Sequence, residues 1–479
     1  MCRFAALLLL LIHASWGQTR DEERRKQNPG LFQIVERART VSAEFAAATL
    51  IQVAASPMLT DKVWKKELLE EAFRLASMAR YPIRKRMMAN GTNQASDAGM
   101  MSLAYEQKLD RISLESRAVT QMLSVDSSRA REMFLGIPLP RIAALTCRDA
   151  LLDDPSDYYE TLAKVSAGTY GESLRERDAQ LDWLRASIQR ISSAVEVPLM
   201  GNALLQSGVS QQQLEILLTF FAGALDRIRG DDRAFSSSLR LIDSTVANLS
   251  SPAVLVSYRG FLVGHLNAPR CGESVPMSDE VERLIGRFNS RFANSDNPGL
   301  AALRMEELKP ASTGDTATVE LLFDKPEFQT LRSNFSDLFI GRDKRVISDE
   351  QKNTPQWKDQ FQGYIATILD MKPATGERET TFFHRKGQAI SSALALVPQG
   401  AERDKAVTQY IAFLQNSNLQ QENFLVWFDQ VVKLAESTRS LRGAEHLKFL
   451  EALEATGHPV LSLYALRERT LGSRPRWAN

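Results

Sequence analysis

Apolar side chains return every three or four positions along most of this chain, the spacing that lines up one face of an α-helix. After Asp61, a residue type suited to cap a helix start, Trp64, Leu68, Leu69, Ala72, Phe73, Leu75, Ala76 and Ala79 share one broad stripe until Pro82 stops it. The stretch 112–135 predicts a helical hairpin whose second helix starts near Asp126 and ends at Gly136 and Pro138. Further helices are predicted over 155–167, 174–193, 198–206, 211–229 and 232–249. Residues 252–267 are apolar on most sides, with Val254, Leu255, Val256, Tyr258, Phe261, Leu262, Val263 and Leu266, which predicts a helix buried in the middle of a layer. Ser278 then caps a helix that runs to near 293.

Between 294 and 315 the periodicity breaks at Asn297-Pro298-Gly299, Lys309-Pro310 and Thr313-Gly314. Beyond it the helical pattern resumes. Thr354 with Pro355 opens a helix whose inner face is Trp357, Phe361, Tyr364, Ile365, Ile368 and Leu369. Others follow over 378–396, 402–415, 422–436, 444–455 and 460–469. The best strand candidate, Val319, Leu321 and Phe323, is short and has no partner in sequence. The fold expected is all-α: stacked antiparallel helical hairpins, as an irregular α-solenoid or α-α superhelix, in one array or two lobes. The expected divisions are a helical domain over 31–293, an irregular linker over 294–315 and a second helical domain over 316–471. A charged flexible start (18–30) and a flexible tail (472–479) flank them. The spacing of Ala118, Ala130 and Phe134 resembles one tetratricopeptide unit, without that repeat's Trp and Tyr positions or its period of about 34 residues.

The first residues follow a different pattern. Arg3 precedes the apolar run from Phe4 to Ile12, and Ser15 and Gly17 stand as small residues around Trp16. That pattern predicts a signal peptide over 1–17, cleaved between Gly17 and Gln18, and hence a periplasmic or secreted protein. The apolar run is shorter than the roughly 20 residues a membrane-spanning helix needs. Removing Arg3 takes 59 basic residues to 58, against 58 acidic ones. A chain so balanced has no long-range attraction for phosphate backbones or anionic lipid, so neither nucleic acid nor a membrane surface is expected as a partner. Cleavage also removes Cys2 and leaves Cys147 and Cys271, which in an oxidising compartment pair most simply as one disulfide; two separate buried thiols are the alternative.

Catalytic signatures are missing. His265, His384, His446 and His458 form no HExxH pair, so no helix face presents a zinc site. Glu377, Glu379 and His384 make the nearest acid–imidazole cluster. His384 falls off the stripe of Phe383, Ile390 and Leu394, and is therefore expected on a solvated face. His446 and His458 flank the last loop, where helix-end roles are expected. There is no GxSxG elbow and no phosphate-binding glycine loop, so no cofactor is implied. Acidic pairs such as Glu70-Glu71 solvate a face, and Asp153-Asp154-Pro155 reads as a helix start. Tyr158 and Tyr159 point to different sides of one helix, one inward and one outward. The basic run Arg84-Lys85-Arg86 reads as a solvated loop rather than a partner contact.

The function expected is a secreted, non-enzymatic helical scaffold that binds a protein or peptide partner, because stacked helix pairs make concave surfaces. The alternative from another class is a glycan- or cell-wall-acting hydrolase, with dispersed carboxylates and Trp183, Trp357 and Trp427 as aromatic platforms. A lipid or small-ligand carrier would need an internal apolar cavity.

Overall fold

The computed structural model describes residues 20–80, 84–87, 106–140, 142, 150–193, 195–228, 251–267, 279–292, 297–304, 307–308, 326–341, 345–373, 375, 377–417, 424–439 and 444–472. The signal segment with Gly17 and Gln18, the cysteines Cys147 and Cys271, the helix expected over 232–249 and the strand candidate at Val319 to Phe323 lie outside them.

The fold is all-α. The first half carries α1 (Pro29–Ala38), α2 (Ala43–Ala55), α3 (Lys62–Ala76), α4 (Arg111–Met122), α5 (Ser127–Leu135), α6 (Ser156–Thr169) and α7 (Leu174–Gln189). It continues with α8 (Glu196–Leu205), α9 (Gln211–Arg227), α10 (Pro252–Asn267) and α11 (Asp279–Phe292). The second half carries α12 (Pro326–Phe339), the short α13 (Asp349–Lys352), α14 (Pro355–Asp370), α15 (Glu379–Leu396) and α16 (Ala401–Gln415). The last three helices are α17 (Phe424–Arg439), α18 (Ala444–Ala455) and α19 (Pro459–Leu471).

Local chemistry sets many of these boundaries. The Asp61 carboxylate accepts from the amides of Val63 and Trp64, Asp126 accepts from Arg129, and Thr354 accepts from Trp357. Each cap satisfies amides that the first helical turn leaves without partners. Ser210 and Gln213 close a reciprocal capping box at the start of α9.

Successive helices pack against one another, but the order of packing does not start at the N-terminal end. It runs from α12 through α14, α15 and α17 to α18 and α19, passes to α1 and α2, and continues through α3, α4, α6, α8 and α9 to α10. Helices α1 and α19, from opposite ends of the described residues, therefore meet inside the stack. A Cβ on Gly30 of α1 would lie 3.0 Å from the Thr470 methyl of α19, so only a small residue lets these helices approach so closely. The Phe45 ring of α2 meets Phe424 and Phe428 of α17 edge-on, with centroids 5.1 and 4.9 Å apart. One apolar core runs from Leu31 to Ala465.

Four expectations change. The helix buried on every side is α2, not α10. Alanine-rich α2 buries ten residues from Glu44 to Ala54, and its small side chains admit neighbours all round. In α10, Val254, Tyr258, Phe261, Leu262 and Leu266 face inward while Val256 is exposed. The basic run at Arg84 is no loop: β1 (Arg84–Met87) pairs antiparallel with β2 (Ala150–Asp153), placing Arg84 opposite Asp153. Asp153 thus ends a strand, and Asp154 alone prepares α6 by accepting from the Ser156 amide. Residues 20–27, expected within the flexible start, are helical. Arg24 anchors them through Glu67 at 2.6 Å and lies over the Trp64 ring. Within the expected linker, Pro298–Leu300 forms a short 3-10 helix and residues 301–304 carry no regular element, and Leu300 and Leu303 are buried. Among the described residues no helix is long and apolar enough to cross a membrane.

Truncating Phe45 tests the joint between the two halves. Phe45→Ala is expected to lower the unfolding free energy by about 3–5 kcal/mol, the usual cost of a large aromatic cavity, read as a shifted urea midpoint.

Candidate functional site

Helix α15 brings the site together. Its buried residues include Phe383, Ile390 and Leu394 from the expected stripe, but also His384, Arg385 and Lys386. His384 is 1% exposed, which overturns its assignment to a solvated face. The helical stripe predicts one packed side; α17 covers a second.

On that second side Gln430 sorts the polar groups. Its amide nitrogen reaches His384 Nδ1 at 3.1 Å and Asp429 Oδ2 at 3.0 Å, and its oxygen accepts from the Tyr410 hydroxyl at 2.9 Å. Because the amide nitrogen donates, His384 Nδ1 accepts and the ring proton sits on Nε2. That Nε2 is buried without a hydrogen-bond partner among the described residues. Burial, and then the charge of Lys433, push His384 down to about 3, so the ring is neutral. Burial pushes the Asp429 carboxyl up, opposed by Lys433 at 2.7 Å and by Gln107, which donates at 3.3 Å. Gly387 makes this approach possible, since a Cβ there would lie 2.2 Å from Gln430 Oε1. Beside the network Arg385 Nε donates to Glu377 at 2.8 Å in an ion pair whose side chains are 3% and 0% exposed.

The expected Glu377, Glu379 and His384 cluster is therefore dispersed. Glu377 holds Arg385, His384 joins Gln430, and Glu379 faces a groove. No group of His, Cys, Asp and Glu among the described residues is arranged to hold a metal ion. His458 precedes α19 without capping it, and its ring stacks on Phe424 with centroids 5.5 Å apart. Burial pushes His458 down as well.

The groove lies between α15 and α16 and encloses about 420 Å³. Glu379, Phe382, Phe383 and Lys386 line one wall at the i, i+3, i+4, i+7 spacing of a single helix face. Gln409, Ala412, Phe413 and Asn416 line the other at the same spacing. Phe383 stacks on Phe413 across the floor, centroids 4.8 Å apart. Lys386 is 8% exposed, donates to the Leu369 carbonyl, and holds its ammonium 5.5 Å from the Phe382 centroid and 5.4 Å from that of Phe413. Burial pushes Lys386 down, against the pull of Asp370 and with the push of Arg385. The buried amide oxygen of Gln409 has no hydrogen-bond partner among the described residues.

A second polar cluster surrounds the start of α4. Lys108, at a positive φ of 51°, pairs with Asp157 at 2.7 Å, and Asp110 caps α4 at Ser113. Burial pushes Asp110 up to about 6 and Glu115 up to about 7, the latter opposed by Arg111 at 2.9 Å. Burial pushes Arg117 down to about 10; Asp157 opposes this and Arg467 of α19 adds to it. None of these groups lines the groove.

The expected aromatic surfaces are interior. Trp357 and Trp427 are buried, and their indoles donate to the carbonyls of Leu338 and Leu414 at 2.8 Å. Trp183 is half-buried against Phe134. Tyr158 and Tyr159 are both buried, correcting the outward placement of one, because Glu196 accepts from the Tyr159 hydroxyl at 2.7 Å. That acceptor and burial hold Tyr159 well above its ordinary range.

The Glu115 carboxyl sets a pH dependence. Its folded value of about 7 lies above the ordinary 4.5, so its contribution to stability is full below 4.5 and is lost as pH rises through 7. Glu115→Gln should therefore gain on the wild type between pH 5 and about pH 8, read from urea midpoints across that range.

No protein-family model matches this chain, and no curated protein does either.

Proposed function

We propose that the chain is an extracytoplasmic, non-enzymatic helical scaffold that binds a protein or peptide partner through the groove between α15 and α16. One observation carries this reading: the groove combines aromatic walls with a buried ammonium and an amide oxygen that has no partner among the described residues. Apolar walls with a few placed polar groups are the usual make-up of a binding site. The segment 1–17 supports export, and the balanced charge of the remainder supports a partner other than nucleic acid or an anionic membrane.

The hydrolase alternative has less support. A glycosidase needs two carboxyl groups facing each other across a cleft, roughly 5–10 Å apart. Glu379 is the single acidic residue among those lining the groove, and Asp110 and Glu115 are buried elsewhere.

Filling the groove tests the proposal. Ala412→Trp places a large side chain on the α16 wall, and circular dichroism reports whether the fold survives. A partner crosslinked to the wild-type mature chain in an extracytoplasmic extract should be lost with the folded variant. Equal capture by both proteins, or no specific capture by either, would contradict the reading.

A further inference from the structure

Resting on that reading, we infer that the groove takes the C-terminal residue of a partner chain: a free carboxylate on Lys386, its neighbouring amide on Gln409, and an apolar side chain between Phe382 and Phe413.

The argument starts from what Lys386 lacks. Buried lysines are rarely left without an anion. Lys386 is 8% exposed, yet its described hydrogen bond goes to a neutral carbonyl, that of Leu369, and Asp370 pulls on its charge only from beyond ion-pair distance. An ammonium carries three donors, so two remain, between the faces of Phe382 and Phe413. A ligand carboxylate supplies two acceptors and a negative charge at contact distance, which Asp370 does not, and the poorly hydrated setting strengthens such a pair.

Gln409 narrows the choice of carboxylate. Gln409 lines the groove from the opposite helix, and its amide oxygen is buried with no hydrogen-bond partner among the described residues. An alkyl tail would leave that atom unsatisfied, whereas a peptide amide offers both a donor and an acceptor and serves either orientation of the Gln409 side chain. A peptide terminus therefore fits better than a fatty acid. The volume of about 420 Å³ suits a ligand of small-molecule size, so the tip of a chain enters rather than a whole helix.

Glu379 sets the direction. It stands two turns before Lys386 on the same face, roughly 10 Å along the axis at about 1.5 Å per residue. A carboxylate there disfavours a second negative charge at that end, so the preferred partner has no acidic residue just before its terminus.

Fluorescence anisotropy on the full mature chain tests this. The probes are fluorescein-labelled hexapeptides ending Ala-Ala-Leu, Ala-Ala-Phe or Ala-Ala-Val, each as free acid and as carboxamide, with octanoate as competitor. At least one acid should bind, its carboxamide should bind about tenfold more weakly, and octanoate should compete poorly. Lys386→Met should weaken the acid about tenfold while barely changing the carboxamide, and Lys386→Arg should restore part of the difference. The acid-to-carboxamide comparison within the wild type needs no variant to fold. Equal binding of acid and carboxamide, octanoate competing as well as the peptide acid, or no binding of any acid would overturn the inference. If Ala412→Trp abolishes partner capture while these probes fail, the scaffold reading stands and the terminal carboxylate falls; if capture is indifferent to that variant, the scaffold reading falls.

Discussion

Phe45 meets the rings of Phe424 and Phe428 edge-on, with centroids 5.1 and 4.9 Å apart, and that contact ties α2 to α17, a helix that also packs on α15, α16 and α18. Edge-on aromatic pairs add a geometric preference to the burial of their surface. Helix α17 in turn presents Gln430, whose amide joins His384 of α15 to Tyr410 of α16. Those two helices are the walls of the groove. Residues near the start of the sequence thus help set the shape of a site built from its last quarter, and close packing transmits the constraint because no slack separates the layers.

Polar groups in this interior make the arrangement specific. Buried His384, Asp429 and Arg385 would be costly if their partners moved away. Gln430 reaches His384 and Tyr410 together only because Gly387 leaves room for its side chain, so the register of α17 against α15 is tied to a single residue without a Cβ. The same logic operates at Asp110, Glu115 and Arg117, which bring buried charge to the region where α19 approaches α4. Lys386 is the exception: its ammonium lines a groove and donates to a carbonyl, with Asp370 acting on it only from beyond ion-pair distance.

The helices and their caps were legible because the signals are local. Asp61, Asp126 and Thr354 stand where the caps occur, and each acts within three residues of itself. Contacts distant in sequence were not legible. The Arg84 strand needs Ala150 to Asp153 as its partner, and a charged run read alone looks solvated. His384 looked exposed because a helical stripe describes one covered face, whereas α15 is covered on a second face by α17. Apolar breadth placed α10 at the centre, yet the alanines of α2 let more neighbours approach. The groove was hidden for a related reason: Phe383 in an apolar stripe reads as core, and only the placement of α15 against α16 leaves a concave space between them.

Hydrogen–deuterium exchange on Phe45→Ala tests most directly whether the groove depends on the contact between α2 and α17. The account predicts faster exchange in α17 and then in α15 and α16, the helices that Gln430 connects, as well as in α2. Faster exchange confined to Ala43–Ala55, with α15 and α16 as protected as in the wild type, would contradict it.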